Sequence, residues 1–249
     1  MARIPRLSRI PPSSPEALGW AALWASLLDL ALLAIALAWI VDAFAPPQDL
    51  PWKPLRLADP PGWATGFKFA GAAQDRQACR RILAEGGVDF VEVPQRVDGS
   101  CAQLNAVRLR GGTTPLAPAA PVMTCPQALA YAFWDRHGLQ PAARELAGAR
   151  VVRVDHVGTY ACRNVYNRAE ARRSEHAFAN AIDVTAFRLS DGRTVRVISD
   201  YRAETPEGRF LRRARADACG WFRAVLGPDY NAAHRDHLHL DFGRHRVCR

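Results

Sequence analysis

Residues 174–183 read Ser-Glu-His-Ala-Phe-Ala-Asn-Ala-Ile-Asp, and residues 234–241 read His-Arg-Asp-His-Leu-His-Leu-Asp. Together they hold four of the seven histidines in the 249-residue chain. His176 and Asp183 stand seven positions apart. On one helix they would share a face but lie ~10.5 Å apart along the axis. That is too far for two short side chains to reach one ion at ~2 Å each. On one regular strand the odd spacing would send them to opposite faces. The spacing therefore predicts His176 in a turn or loop, with the chain entering a strand at Ala181-Ile182-Asp183-Val184. The second stretch alternates. As a strand it places His237, His239 and Asp241 on one face and Leu238, Leu240 and Phe242 on the other. Such a strand gives an apolar face to a core and a polar face to a cleft. Taken alone, His-x-His also fits a solvated strand face. The two stretches together predict one zinc site, with His176, Asp183 and His239 as ligands and a fourth position open.

The order Ser-x-His, Ala-x-Asp and a late His-x-His resembles the zinc D-Ala-D-Ala peptidases, in the superfamily shared with lysostaphin and the hedgehog signalling domain. More narrowly, MTCPQALAYAFW (123–134), GTYACRN (158–164), RRSEHAFANAIDV (172–184), VLGPDYNAAHRDHLHLDFG (225–243) and the terminal CR are similar to the bacterial extensin-like C-terminal domain family, over roughly residues 75–249. Nothing in the chain resembles the Pro-rich repeats of plant extensins. The wider resemblance implies His176, Asp183 and His239 as metal ligands and His237 as the catalytic residue. Where those peptidases usually carry Gly the chain has Ala179, which bears on the backbone of that loop. In the peptidases an Arg in a Tyr-x-Arg region helps hold substrate and a developing oxyanion. Here Tyr160 and Arg163 have two residues between them instead of one. A guanidinium fork suits a carboxylate or an anionic tetrahedral intermediate.

Two residues compete as the base that takes a proton from an attacking water. Asp236 stands three positions before His239, where some of the peptidases place a Glu. His237 shares the strand face of His239, whereas Asp236 would point to the other face, so His237 is favoured. Asp241 is placed to orient an imidazole from behind. Ser174, Tyr160 and His234 complete the set as supporting or substrate-contacting residues.

The remaining chain sets the context. The formal charge is +9, and 31 of the 33 basic residues are arginine. With abundant alanine, this reads as a solvated Arg-rich surface and not as a nucleic-acid footprint. Residues 1–18 form a basic arm carrying Arg3, Arg6 and Arg9. Gly19 to Val41 is apolar except for Asp29, and at 1.5 Å per residue spans ~34 Å, enough for a bilayer core. Residues 19–42 are thus expected to be an uncleaved signal anchor in the inner membrane, N-terminus cytoplasmic and the following domain periplasmic. A cleaved signal peptide is the rival, but Pro46 directly follows the Ala43-Phe44-Ala45 site and the apolar stretch is long. Asp29 is placed to face a partner helix. Residues 43–74, rich in proline, are expected to be an extended linker, with Trp52 and Trp63 given no role.

All six cysteines (Cys79, Cys101, Cys125, Cys162, Cys219, Cys248) follow the apolar span, which predicts three disulfides in an oxidising compartment. Local proximity suggests Cys79–Cys101 and Cys219–Cys248, leaving Cys125–Cys162. Short strands are predicted at 88–93, 106–109 and 151–154, and a helix capped by Thr124 through about Arg136. A shorter helix is expected around 142–146, and a hairpin over 184–198 around Ser190-Asp191-Gly192-Arg193. A longer helix is predicted from Glu207 to Leu226. Residues 75–249 are therefore expected to form an α+β domain, an antiparallel sheet with flanking helices carrying the zinc site. The resemblance implies a zinc-dependent peptidase, of D-Ala-D-Ala carboxypeptidase or peptidoglycan endopeptidase type, acting on cell-wall peptides. The alternative is a non-catalytic, zinc-containing wall-binding or scaffolding domain.

Overall fold

The computed structural model describes residues 15–249, so Arg3, Arg6 and Arg9 of the expected basic arm lie outside the described residues. The chain divides into two units, Met1–Pro46 and Pro47–Arg249. The first is dominated by helix α1 (Pro15–Phe44). Its segment Ala22–Phe44 has a mean hydropathy of 2.2 and none of its residues is buried. By length and composition it is able to cross a membrane. Asp29 lies within it.

In the second unit a 3-10 turn at Pro47–Asp49 is followed by α2 (Thr65–Gln74) and α3 (Arg76–Glu85). Asp75 caps α3, its carboxylate accepting from Gln77 N and Ala78 N. This corrects the extended linker expected over 43–74. Leu50, Leu55, Leu57, Ala64 and Phe69 are all buried, so from Pro47 the chain already packs into the domain. The prolines break long elements here but do not prevent the apolar residues between them from packing.

There follow β1 (Asp89–Glu92), β2 (Arg96–Asp98), β3 (Cys101–Gln103), β4 (Ala106–Gly111), β5 (Leu116–Ala117) and β6 (Val122–Thr124). Thr124 then caps α4 (Cys125–Trp134), accepting from Gln127 N. Every residue of α4 except Pro126 is buried, as expected of a helix apolar all round. Its polar groups are partnered inside. Gln127 Nε2 donates to Leu240 O at 2.9 Å, and Trp134 Nε1 to Ala214 O at 2.9 Å. The helix runs on through π turns at Asp135–Leu139 and Ala143–Ala147, with α5 (Gln140–Ala142) between them.

The remaining elements are β7 (Val151–His156), β8 (Ala181–Leu189), β9 (Thr194–Arg196), α6 (Val197–Asp200), α7 (Pro206–Ala218), β10 (Ala224–Leu226), β11 (Leu238–Asp241) and β12 (Val247–Cys248). The principal sheet has the order β12-β10-β11-β8-β7-β5, with β9 also paired to β8. It is mixed, not purely antiparallel, because the edge pairs β5–β7 and β10–β12 are parallel. The helix predicted to reach Leu226 stops at Ala218. Residues 224–226 instead form the strand that pairs with β11, since an apolar triplet can be buried in either form.

Three disulfides close the domain: Cys79–Cys125, Cys101–Cys162 and Cys219–Cys248. Only the last follows the proximity expectation; the pairings Cys79–Cys101 and Cys125–Cys162 are wrong. The cause is tertiary. Helix α3 packs on α4 and brings Cys79 to Cys125, while β3 lies beside the 3-10 turn at Glu175–Phe178 and meets the loop carrying Cys162.

Candidate metal centre

Two of the three predicted ligands come from neighbouring strands in the middle of the sheet. In the antiparallel pair β8–β11, Asp183 and His239 occupy directly opposed positions. Leu238 and Leu240 turn into the core, fully buried, so His239 and Asp241 face the other way. The third ligand arrives on a turn. His176 sits in the 3-10 turn Glu175–Phe178, outside any strand, and β8 begins at Ala181.

The local sequence shapes this turn. Ser174 is its N-cap, Oγ accepting from His176 N at 3.4 Å. Ala179 closes it in the left-handed conformation at φ 54°, the region in which glycine is unstrained and alanine is not. Thr124 N donates to Ala179 O at 2.8 Å and holds the residue there.

His176, Asp183 and His239 are all buried, and each offers one ligand atom within 4.8 Å of the others. His239 Nδ1 stands 2.8 Å from Asp183 Oδ1, and its Nε2 stands 3.0 Å from Asp241 Oδ2. An Nε2–H donated to Asp241 leaves the Nδ1 lone pair directed at the cluster, the usual carboxylate–histidine arrangement behind a metal. His176 Nε2 is 3.1 Å from Asp183 Oδ2 but is a buried nitrogen without a hydrogen-bond partner. A buried, orphaned imidazole nitrogen aimed at a carboxylate and a second imidazole fits a metal ion between them.

Electrostatics agree. Burial pushes the Asp183 carboxyl up, but the imidazoles of His176 and His239 beside it outweigh this and hold it far below the usual carboxylate range. Burial likewise works against charge on His239, yet Asp183 and Asp241 raise it to about 9. His234 is lowered to about 4, first by burial and then by the neighbouring His239 and His237.

The cluster lies in a cleft of about 300 Å³ whose lining includes Arg163, His234, His237 and Asp241. His237 falls one residue before β11 and not within it as predicted, yet lines the same cleft as His239. Its Nε2 is 3.7 Å from Asp183 Oδ1, and its Nδ1 is 2.8 Å from Asp236 Oδ1. Asp236 itself is exposed and stays out of the cleft lining, so the two competing bases prove to be bonded to each other. His234 closes a 3-10 turn at Ala232–His234, its ring 5.2 Å from that of His237. Arg163 reaches the cleft, whereas Tyr160 is half-buried outside its lining.

Sequence reasoning missed Tyr166 and Tyr230. Both line the cleft and flank His234 edge-on, with ring centroids at 6.4 and 5.4 Å. Tyr166 hydroxyl accepts from Asn231 Nδ2 at 2.9 Å, tying the loop after Arg163 to the turn before His234. The sequence signal for Tyr230 was its place inside the motif at 225–243; Tyr166 lies between the quoted motifs and carried none. Neither the curated proteins nor the solved structures offer a match to this chain. Residues 77–249 match the family described as "Extensin-like protein C-terminus", and the chain therefore belongs to the extensin-like C-terminal domain family.

Proposed function

We propose that this is a membrane-anchored, exported zinc hydrolase that cleaves peptide bonds in cell-wall peptides. The anchor reading is supported by α1, and export by three disulfides with no free cysteine among the described residues. His176 Nε2, Asp183 and His239 Nδ1 would hold the zinc. When bound there, zinc supplies Lewis-acid activation of water and of a substrate carbonyl.

The observation that carries the hydrolase reading is His237. It lines the cleft beside the three ligands without belonging to them, and Asp236 fixes its Nδ1. With the Nδ1–H donated to Asp236, the Nε2 lone pair is free to take a proton and later return it to a leaving amine. Asp236 acts through His237, holding its tautomer and ring plane. Arg163 supplies a cation in the same cleft for a carboxylate or oxyanion.

A second reading keeps the metal and drops the turnover: a zinc-containing domain that binds or scaffolds the wall. The family match supports this reading more directly, since it carries a domain and not an activity. The deciding experiment incubates the zinc-loaded protein with purified peptidoglycan peptides and reads products by mass spectrometry. On the hydrolase reading His237→Ala keeps zinc and fold but loses ~10²–10⁴-fold in rate, with a smaller loss for Asp236→Ala. No product from wild type against any wall peptide would leave the scaffold.

A further inference from the structure

The domain keeps most of its Trp and Phe side chains inside, with three exceptions. Trp52, Trp63 and Phe67 are 61%, 84% and 73% exposed, and beyond Pro46 no other Trp or Phe is exposed to this degree. All three fall in the short stretch that follows α1. Hydrogen bonds tie that stretch to the residues at which the chain leaves the helix. Trp63 N donates to Asp49 Oδ1 at 2.6 Å, and Lys68 Nζ to Pro47 O at 2.8 Å. Gly62 approaches so closely that a Cβ there would meet Asp49 Oδ1 at 2.3 Å.

Asp49 lies five residues beyond Phe44, the last residue of α1. At no more than ~3.6 Å of extended chain per residue, Asp49 stays within ~18 Å of the helix end however the domain turns. Trp63 is one hydrogen bond farther. Indole rings favour the head-group level of a bilayer, where an apolar body and a polar N–H are both accommodated. Arg56 in the same stretch is exposed and suits anionic head groups.

We propose that Trp52, Trp63 and Phe67 together dock the domain on the lipid bilayer, with their rings at head-group level. This rests on reading α1 as a membrane span. A docked domain can turn about the membrane normal but does not tumble on its anchor, so the metal cleft is held at a fixed height above the lipid.

The test uses the full chain in vesicles of phosphatidylethanolamine and phosphatidylglycerol. Hydroxyl-radical oxidation is read residue by residue by mass spectrometry. Buried Trp134 sets the protected rate and Tyr230, 43% exposed, sets the accessible one. Docking predicts that Trp63 and Phe67 are oxidised several-fold more slowly than Tyr230, inverting the order of their exposures. Trp63→Ser combined with Phe67→Ser should then raise the oxidation of Trp52. If Trp63 is oxidised faster than Tyr230 while Trp24 and Trp39 of α1 stay protected, the span stands and docking is wrong. Oxidation of Trp24 and Trp39 at the accessible rate removes the span and docking with it. Protection of Trp63 that disappears as protein is diluted among vesicles would assign the surface to a second copy of the chain and overturn the lipid proposal.

Discussion

On one side of the candidate metal centre Asp183 and His239 face each other across β8 and β11; on the other His176 rides a single 3-10 turn. The strand side is fixed by sheet register. Slipping the pair by one residue would turn Leu238 and Leu240 out of the core, so these two side chains cannot part without disrupting the sheet. The turn side is fixed by a serine cap, one left-handed alanine and a hydrogen bond from Thr124. The first is stiff by topology and the second by a few local contacts. The two sides should therefore answer substitution differently.

The largest effect tests whether both sides are ligands at all. Asp183→Ala, His239→Ala and His176→Ala should each weaken zinc binding by more than ~100-fold, whereas His234→Ala should not. Elemental analysis is the check. One zinc per chain retained in His239→Ala would break the strand side of the comparison; the same result for His176→Ala would break the turn side.

The next effect sharpens the strand side. Asp241 holds His239 Nε2 at 3.0 Å and also accepts from Gly243 N at 2.8 Å. Asp241→Ala should cost ~10–100-fold in zinc affinity by freeing the imidazole to turn. Asp241→Asn, which keeps an acceptor, should recover part of the loss in a competition titration. Equal losses in the two variants would mean that Asp241 contributes charge and not orientation.

How much of this was legible in the sequence follows the same divide. The alternation of Leu238 and Leu240 with His239 and Asp241 announced β11, because strand periodicity is local. The seven-residue gap between His176 and Asp183 excluded a shared helix or strand, so the turn followed by elimination. The bond between Asp236 and His237 was not legible, because β11 starts one residue later than the alternation suggested. Nor were the two long-range disulfides, which depend on α3 meeting α4 and β3 meeting the Cys162 loop. The proline-rich stretch reads as a tether because proline disfavours regular elements, while Leu50, Leu55 and Leu57 need only a surface to pack against. Strand 224–226 was lost to a helix pattern because three apolar residues carry no period.

A smaller effect concerns charge in the metal-free strand pair. His239 is raised from its ordinary value near 6.5 to about 9 by Asp183 and Asp241, against the opposing effect of burial. A raised folded-state value stabilises fully below the unfolded value and loses this as pH climbs through the folded one. The chelated protein should therefore lose on the order of 3 kcal/mol between about pH 6.5 and 9. The zinc-loaded protein should not show this loss, because the ligand nitrogen carries no proton. Denaturant melts of both forms across that window are the check. A chelated protein whose stability rises over the window would remove the His239–Asp183 pair as the stabilising element.

The smallest effect belongs to the turn side. Ser174 Oγ accepts from His176 N at 3.4 Å, long for a cap, so Ser174→Ala should cost the ordering of this turn, and not the global fold, near the low end of the usual range, ~0.5–1 kcal/mol. The loss should fall on the position of His176 more than on the sheet, because Ala161 N and Ala179 N still donate to the His176 carbonyl at 3.1 Å. Zinc affinity should drop a few-fold, with the denaturation midpoint of the chelated protein nearly unchanged. Ser174→Thr, which restores an accepting hydroxyl, should recover the affinity. If Ser174→Ala instead shifts the midpoint and leaves zinc affinity alone, the cap serves the fold at large. The turn is then held by Thr124 and Ala179 without it.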